Sequence, residues 1–295
     1  MATLNYAEQY ARELAQAYPY TLFSGALWNT ENSSKYKVID AKTIKIPSIS
    51  VGGRTNGNRD TIGSFTRNFE NDWETKTLNN HRKWQTLVHP KDIDETNQVA
   101  SIANITKVMN EEQKFPEMDA YIFSTIYKLR NEQKAITPLA EELTVTNILD
   151  KFDEMMDAMD EARVPYSGRI LYCDTYTKTL ITKAVAIVRS NAQKTIVRDV
   201  ERLEEVNIVT VPTDLMKTSY TFTEGFEAAG DAKDIKMLLI HPSSVLPVVS
   251  YSFAQLEAPS ALSEGKYVYF EESFEDVFIL NKRVDAIQMI VKDQG

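Results

Sequence analysis

"TIKIPSISVGGRTNGNRDTIGSF", residues 43–65, is the stretch on which the fold turns. Ile44 and Ile46 alternate with lysine, the two-residue period of a half-buried strand. Pro47 confines that strand to an edge or a bulge, because proline cannot donate to a ladder. The tip, "GGRTNGNRD", is too polar for a core and longer than the two residues a tight turn needs. The return limb is "FTRNFENDWETKTLNNHRKWQTLVHP", residues 65–90, in which Trp73, Thr75 and Thr77 alternate, as do Trp84, Thr86 and Val88. The end of such a long hairpin has nothing of its own to pack against.

Charge divides along the chain. Residues 43–90 carry seven basic side chains against four acidic ones, a net +3 inside a chain of net −9. Residues 137–165 carry eight carboxylates against Lys151 and Arg163, a net −6. Those residues hold the clearest helical pattern in the sequence: Val145, Ile148, Leu149, Phe152, Met155, Met156 and Met159 recur at helical spacing, with the acids on the other face. The methionines read as core or interface filler.

Between these regions, "DIDETNQVASIANITKVMNEEQ", residues 92–113, predicts a helix with Val99, Ile102, Ile105 and Val108 or Met109 on one face. "EMDAYIFSTIYKLRNEQ", residues 117–133, continues it, bent or restarted near Pro116. Residues 3–18 read as a short amphipathic helix. Beyond the acidic helix come a strand, "GRILYC", and a helix, "DTYTKTLITKAVA", with Asp174 as its N-cap. "VNIVTVP" and "IKMLLIHP" are short apolar strands; "VVSYSFAQLEA", "KYVYFEES", "VFILN" and "AIQMIV" return the chain to β structure. The predicted class is α+β.

With 295 residues, 43% hydrophobic and 25% charged, the chain has the composition of a folded globular protein. Its acidity argues against a protein that coats nucleic acid. One cysteine, Cys173, excludes an internal disulfide and fits a reducing compartment. The N-terminus has no continuous apolar block, so no signal peptide is expected, and no apolar run reaches the ~18–20 residues of a membrane span.

No residue set carries recognisable catalytic chemistry. The tip lacks the Lys-Ser/Thr ending of a phosphate loop. Asp92, Asp94 and Glu95 lack the spacing of a Ca²⁺ loop and read as helix-capping acids. His81, His89 and His241 have no ligand neighbours at zinc spacing and read as surface or turn residues. Ser243 and Ser244 form no nucleophile elbow, and Cys173, at the end of an apolar strand, reads as a buried inert thiol. Neither metal nor cofactor is expected, and the chain is not expected to be an enzyme.

The order of these parts resembles the HK97-like major capsid proteins of tailed bacteriophages. The resemblance is carried by "LNYAEQYARELAQAY"; by "IKIPSISVGG" followed by "WETKTLNNHRKW"; by "DIDET" leading to "FPEMDAYIFSTI"; by "VPYSGRILYCDTYTKTLI"; by "VTVPTD"; and by "FEDVFILNKRVDAIQMI". It implies an N-terminal arm (1–42), an extended β-hairpin loop (43–90), a peripheral domain with a spine helix (91–137), a central axial domain (138–250) and a return to the peripheral domain (251–295). It also implies that the hairpin reaches across to an adjacent subunit. Candidate contact residues are then Arg54, Asn58 and Arg59 at the tip, Arg67, Trp73, Arg82 and Trp84 on the limbs, and Glu154, Asp157 and Glu161 as acidic partners.

The implied function is self-assembly, through pentamers and hexamers, into an icosahedral or prolate shell. That shell would enclose double-stranded DNA that it contacts only weakly. Scaffold, portal and decoration proteins are further implied partners, the virion capsid is the implied location, and the host cytoplasm is the site of assembly. In one departure from the family pattern, a long, charged, helical N-terminal extension acting as a built-in scaffold is not expected. The alternatives are an encapsulin-like compartment shell and a cytoplasmic α/β hydrolase or transferase.

Overall fold

A computed structural model describes residues 21–34, 36–40, 42–54, 56, 67–96, 101–191, 202–203 and 205–292. The helix expected over 3–18, together with Asn58, Arg59 and Val99, lies outside the described residues. Along the chain run α1 (Gly25–Trp28), β1 (Lys37–Asp40), β2 (Thr43–Val51), β3 (Phe69–Thr77), β4 (His81–Val88), α2 (Pro90–Glu95), α3 (Ile102–Met109) and α4 (Phe115–Gln133). Then come α5 (Ile148–Glu161), β5 (Ile170–Asp174), α6 (Thr175–Asn191), β6 (Arg202–Leu203), β7 (Val206–Val211), β8 (Tyr220–Thr221) and β9 (Glu227–Ala228). The last elements are β10 (Ile235–Ile240), β11 (Val245–Glu257), β12 (Tyr267–Ile279) and β13 (Ile287–Val291).

The centre is a five-stranded sheet in the order β13-β10-β5-β7-β6. Its middle strands read as unbroken apolar runs because both faces are covered. Tyr172, Leu238 and Ile240 join a core with Ala120, Ile122, Phe123 and Ile126 of α4. Their neighbours Leu171, Cys173, Met237 and Leu239 point the other way, onto Ile148, Phe152, Met155, Met156 and Met159 of α5 and Leu180, Ile181 and Ala184 of α6. β5 and β7 are parallel, and α6 lies in the crossover that such a pairing demands. Asp174 caps α6 as expected, accepting the Thr177 N–H at 2.7 Å.

A second sheet, β11-β12-β4, is antiparallel and flanks the long helix. "KYVYFEES" and "VFILN", read as separate strands, are one 13-residue strand, β12, held along its whole length by β11. A third sheet, β1-β2-β3, is the hairpin. Its base is buried through Ile44 and Ile46, packed on Leu246, Val248, Phe274 and Phe278 of β11 and β12.

Three expectations change. The return limb of 65–90 is not one strand system: β3 pairs with β2, but β4 leaves the hairpin and pairs with β12 from Tyr267↔Val88 to Phe274↔His81. Asp276 takes the turn between them, accepting the Asn79 N–H at 2.9 Å. The closing strand, expected among the peripheral strands of 251–295, pairs instead with β10 as the edge of the central sheet. Ile287 and Val291 are buried there, and their apolar contacts decide the sheet. The helix expected over 92–113 is two: α2 ends where the Thr96 hydroxyl bonds the Asp92 carbonyl at 2.6 Å, and Ser101 caps α3.

The bend near Pro116 is present and has a cause. Pro116 has no N–H and crowds the carbonyl four residues back. The helix answers with a π turn, Asn110–Lys114, between α3 and α4. The N-terminal strap is tied to this helix: Asp119, fully buried on α4, accepts the backbone N–H groups of Phe23 (3.0 Å) and Ser24 (2.8 Å) and the Ser24 hydroxyl.

Candidate assembly surface

Beyond its buried base the hairpin has two chemically distinct faces. The register pairs Pro47 with Trp73, Ile49 with Asn71 and Val51 with Phe69, so these six side chains share one face. The opposite face pairs Ser48 with Asp72 and Ser50 with Glu70, and below them Ile46 with Glu74. The first face is apolar and open: Ile49 is 62% exposed, Val51 72%, Phe69 52% and Trp73 47%. The second is acidic and turns toward the body, where Asn281 donates to Glu74 Oε1 at 2.6 Å and Lys282 Nζ reaches the Ile49 carbonyl at 2.6 Å.

The ladder ends at Gly52, whose N–H donates to the Asn68 carbonyl at 2.8 Å. The Asn68 side chain folds over the same position, its Oδ1 accepting the Gly52 N–H at 3.1 Å. Within the hairpin the carboxylates of Glu70, Asp72 and Glu74 gather on one face, and a count of charges along the chain does not reveal the apolar face opposite.

The candidate residues separate accordingly. Arg54 is exposed just past the ladder. The Arg67 guanidinium lies over the Phe69 ring at 5.5 Å from its centre. Trp73 stands on the open apolar face. Arg82 and Trp84 are on β4 and so belong to the second sheet. The Arg82 guanidinium is held inside its own chain: Nε is 2.6 Å from Glu117 Oε1, and one amino group donates to the Phe222 carbonyl at 2.7 Å. Trp84 is half-buried, its ring tilted against Tyr269 at 5.6 Å. Glu154, Asp157 and Glu161 are exposed on α5, and Glu154 holds Lys151 at 2.9 Å. The structure does not bring this acidic face to the hairpin within one chain.

The residues with chemical potential are occupied structurally. His81 stacks on Phe274 at 3.9 Å and pairs with Glu272 at 2.5 Å. Burial pushes the Cys173 thiol up to about 12, with Asp174 adding to it, so it is no nucleophile at neutral pH. Among the described residues no group of three His, Cys, Asp or Glu is placed to hold a metal ion, and no helix is long and apolar enough to cross a membrane. Sequence reasoning missed Arg169, a fully buried guanidinium that closes the C-terminus of α5 by donating to Asp160 (2.5 Å) and to the carbonyls of Val164 (2.8 Å) and Pro165 (3.1 Å).

No family model and no curated protein matches this sequence. Solved structures do. The chain is similar to a capsid structure of cyanophage P-SCSP1u, with 10% identity, a TM-score of 0.72 and coverage of 98% of this chain and 93% of that one. It is similar to the mature capsid of bacteriophage PhiM1 (14% identity, TM-score 0.68, 98% and 92% covered) and to a structure from Mycobacterium phage Che8 (14%, 0.64, 98% and 98%). At these identities the likeness is one of fold. The chain has the α+β, HK97-like fold of phage capsid structures over nearly its whole length.

Proposed function

We propose that this protein is a phage major capsid protein, a structural subunit that associates with copies of itself into a closed icosahedral or prolate shell around double-stranded DNA. The observation that carries the reading is the open apolar face of Pro47, Ile49, Val51, Phe69 and Trp73 on a hairpin packed at its base and held to the body along its other face, in a chain with the fold of phage capsids. The hairpin's partner is a neighbouring subunit.

Magnitudes decide which contact matters. Burying one fully exposed large apolar side chain is worth roughly 1.5–3 kcal/mol; Ile49, Val51, Phe69 and Trp73 are already partly covered, so together they supply roughly 3–7 kcal/mol before the entropic cost of association. An exposed ion pair is worth about 0–1 kcal/mol. The apolar face drives the contact. Arg54, Arg67 and the tip arginine Arg59, set against acids such as Glu154, Asp157 and Glu161, serve register and approach.

Each subunit makes several such contacts, in rings of five and six, so each can be weak. A subunit of net −9 does not grip DNA, which suits a shell that is filled and emptied. Scaffold, portal and decoration proteins are further partners; the virion is the location, reached by assembly in the host cytoplasm. The role is structural and not enzymatic.

The test is to express the chain and size it by light scattering and negative-stain microscopy beside the double variant Ile49→Asp/Phe69→Asp. Wild type is expected to form rings, tubes or shells, and the variant to stay small with an unchanged thermal midpoint. Normal particles from the variant would refute the role of this face.

A further inference from the structure

Between the π turn with the start of α4 and the face of β4 and β12 lies a cleft of about 790 Å³. A single water needs roughly 10–15 Å³, so the cleft admits solvent and protons freely. Two ion pairs cross it. Lys114, on the π turn, meets Glu271 of β12 at 3.1 Å, and Arg82 of β4 meets Glu117 of α4 at 2.6 Å. Arg82 is further engaged by the Phe222 carbonyl at 2.7 Å and the Gly225 carbonyl at 3.3 Å, and Glu271 also accepts the Tyr269 hydroxyl at 2.9 Å.

A third carboxylate stands in the same joint. Glu275 of β12 feels Lys114, Glu117, Glu271 and Arg82, and among the described residues it forms no ion pair. The joint thus holds three carboxylates against two cations. The other titratable groups around the cleft do not supply the missing cation: Glu224 adds a further acid, His81 is paired with Glu272, and Tyr121 of α4, which also faces Glu275, donates its hydroxyl to Asp276 at 2.7 Å. Lys83 sits one residue along β4 from Arg82, so its side chain leaves the opposite face of the sheet. Burial pushes the Glu275 carboxyl above its ordinary range, and Glu117 and Glu271 add to the shift against Lys114 and Arg82.

We propose that Glu275 is a proton-operated latch on the joint between the bent helix and the β4–β12 sheet. With its carboxyl protonated the joint carries one excess negative charge fewer and the helix closes on the sheet; ionised, it adds its charge to those of Glu117, Glu224 and Glu271 and loosens the same joint. The sign follows from the direction of the shift. A carboxyl that binds its proton more tightly in the closed state stabilises that state below the ordinary glutamate value of 4.5, and the stabilisation is lost as pH rises through the raised value. Mild acid tightens the helix, the reverse of ordinary acid loosening. The consequence for a shell rests on the reading above, since the helix–sheet angle then sets the shape of the subunit; the latch itself is a property of one chain.

The test uses the unassembled full-length chain, so its outcome is separate from whether shells form. Hydrogen–deuterium exchange is followed over residues 102–118 from pH 8 to pH 4.5, corrected for intrinsic rates. One linked proton makes protection rise by up to ~10-fold per pH unit across the interval in which Glu275 takes its proton. Glu275→Gln, neutral at every pH, is expected to show the high protection already at pH 8 and no pH dependence there. Lys114→Gln removes one cation and is expected to move the wild-type midpoint to higher pH. Wild-type protection that is flat or falls with acid would overturn the proposal. So would a Glu275→Gln chain as pH-dependent as wild type, or a Lys114→Gln midpoint that is unmoved or lowered.

Discussion

Arg82 and His241 show how single side chains are decided by partners far along the chain. Arg82 was grouped with the hairpin because it follows it in sequence; its acceptors are Glu117, 35 residues on, and the carbonyl of Phe222, 140 residues on. Asp119 and its strap at residues 23–24 were illegible for the same reason. His241 was legible as a turn residue before a proline, and the structure gives its chemistry. Nδ1 accepts the Ser243 N–H at 3.2 Å, so Nε2 carries the proton and donates to the Ser167 carbonyl at 3.1 Å. Gly168 follows at φ +89°, a left-handed backbone conformation that glycine adopts without strain. A second ring proton would destroy the Ser243 contact. Burial holds the imidazole below its ordinary 6.5, and Arg169 and Arg283 add to that against the Ser167 carbonyl. A lowered base contributes stability that is present above 6.5 and lost as pH falls toward the lowered value. Thermal midpoints measured between pH 7.5 and 5 are therefore expected to drop below 6.5, with a shallower drop in His241→Asn; an equal drop in both would show that His241 is not responsible.

Among the elements, α5 was the most legible, because its period alone specifies its face. Ile148, Phe152, Met155, Met156 and Met159, read as one stripe, are the residues it buries. Met159, wholly buried, has core atoms on every side, so Met159→Ala is expected to cost about 2–5 kcal/mol in urea denaturation. A loss near zero would mean the core collapses around the gap. The strands were legible as strands but not as sheets. "AIQMIV" has the pattern of any short buried strand, and only its pairing with β10 places it. β12 reads as two strands because Glu275 and Asp276 interrupt its pattern after "KYVYFEES"; Asp276 accepts the Asn79 N–H and the Tyr121 hydroxyl, and Glu275 stands in the cleft beside α4. The hairpin was read for its charge, while its apolar face appears only when residues are sorted by the two-residue period and paired across the strands.

At the scale of the whole molecule, the central sheet is covered on both faces and could fold as an ordinary domain, but the hairpin has no such closure. Its base is packed, and its outer half ends in four open apolar side chains. The fold class was readable because the order of arm, hairpin, long helix, mixed centre and closing strands is distinctive even where each motif is soft. The hairpin's partner is implied by the resemblance alone, since a contact made between chains leaves no trace in local sequence. The measurement that goes straight to this point is backbone hydrogen exchange of residues 43–51 and 69–77, compared between the free chain and purified particles. The account predicts that the outer half, residues 47–51 and 69–73, exchanges readily in the free chain and is strongly protected in particles, while the buried base at 44–46 is protected in both. Outer-half protection already complete in the free chain, or absent in particles, would contradict a hairpin that is covered in trans.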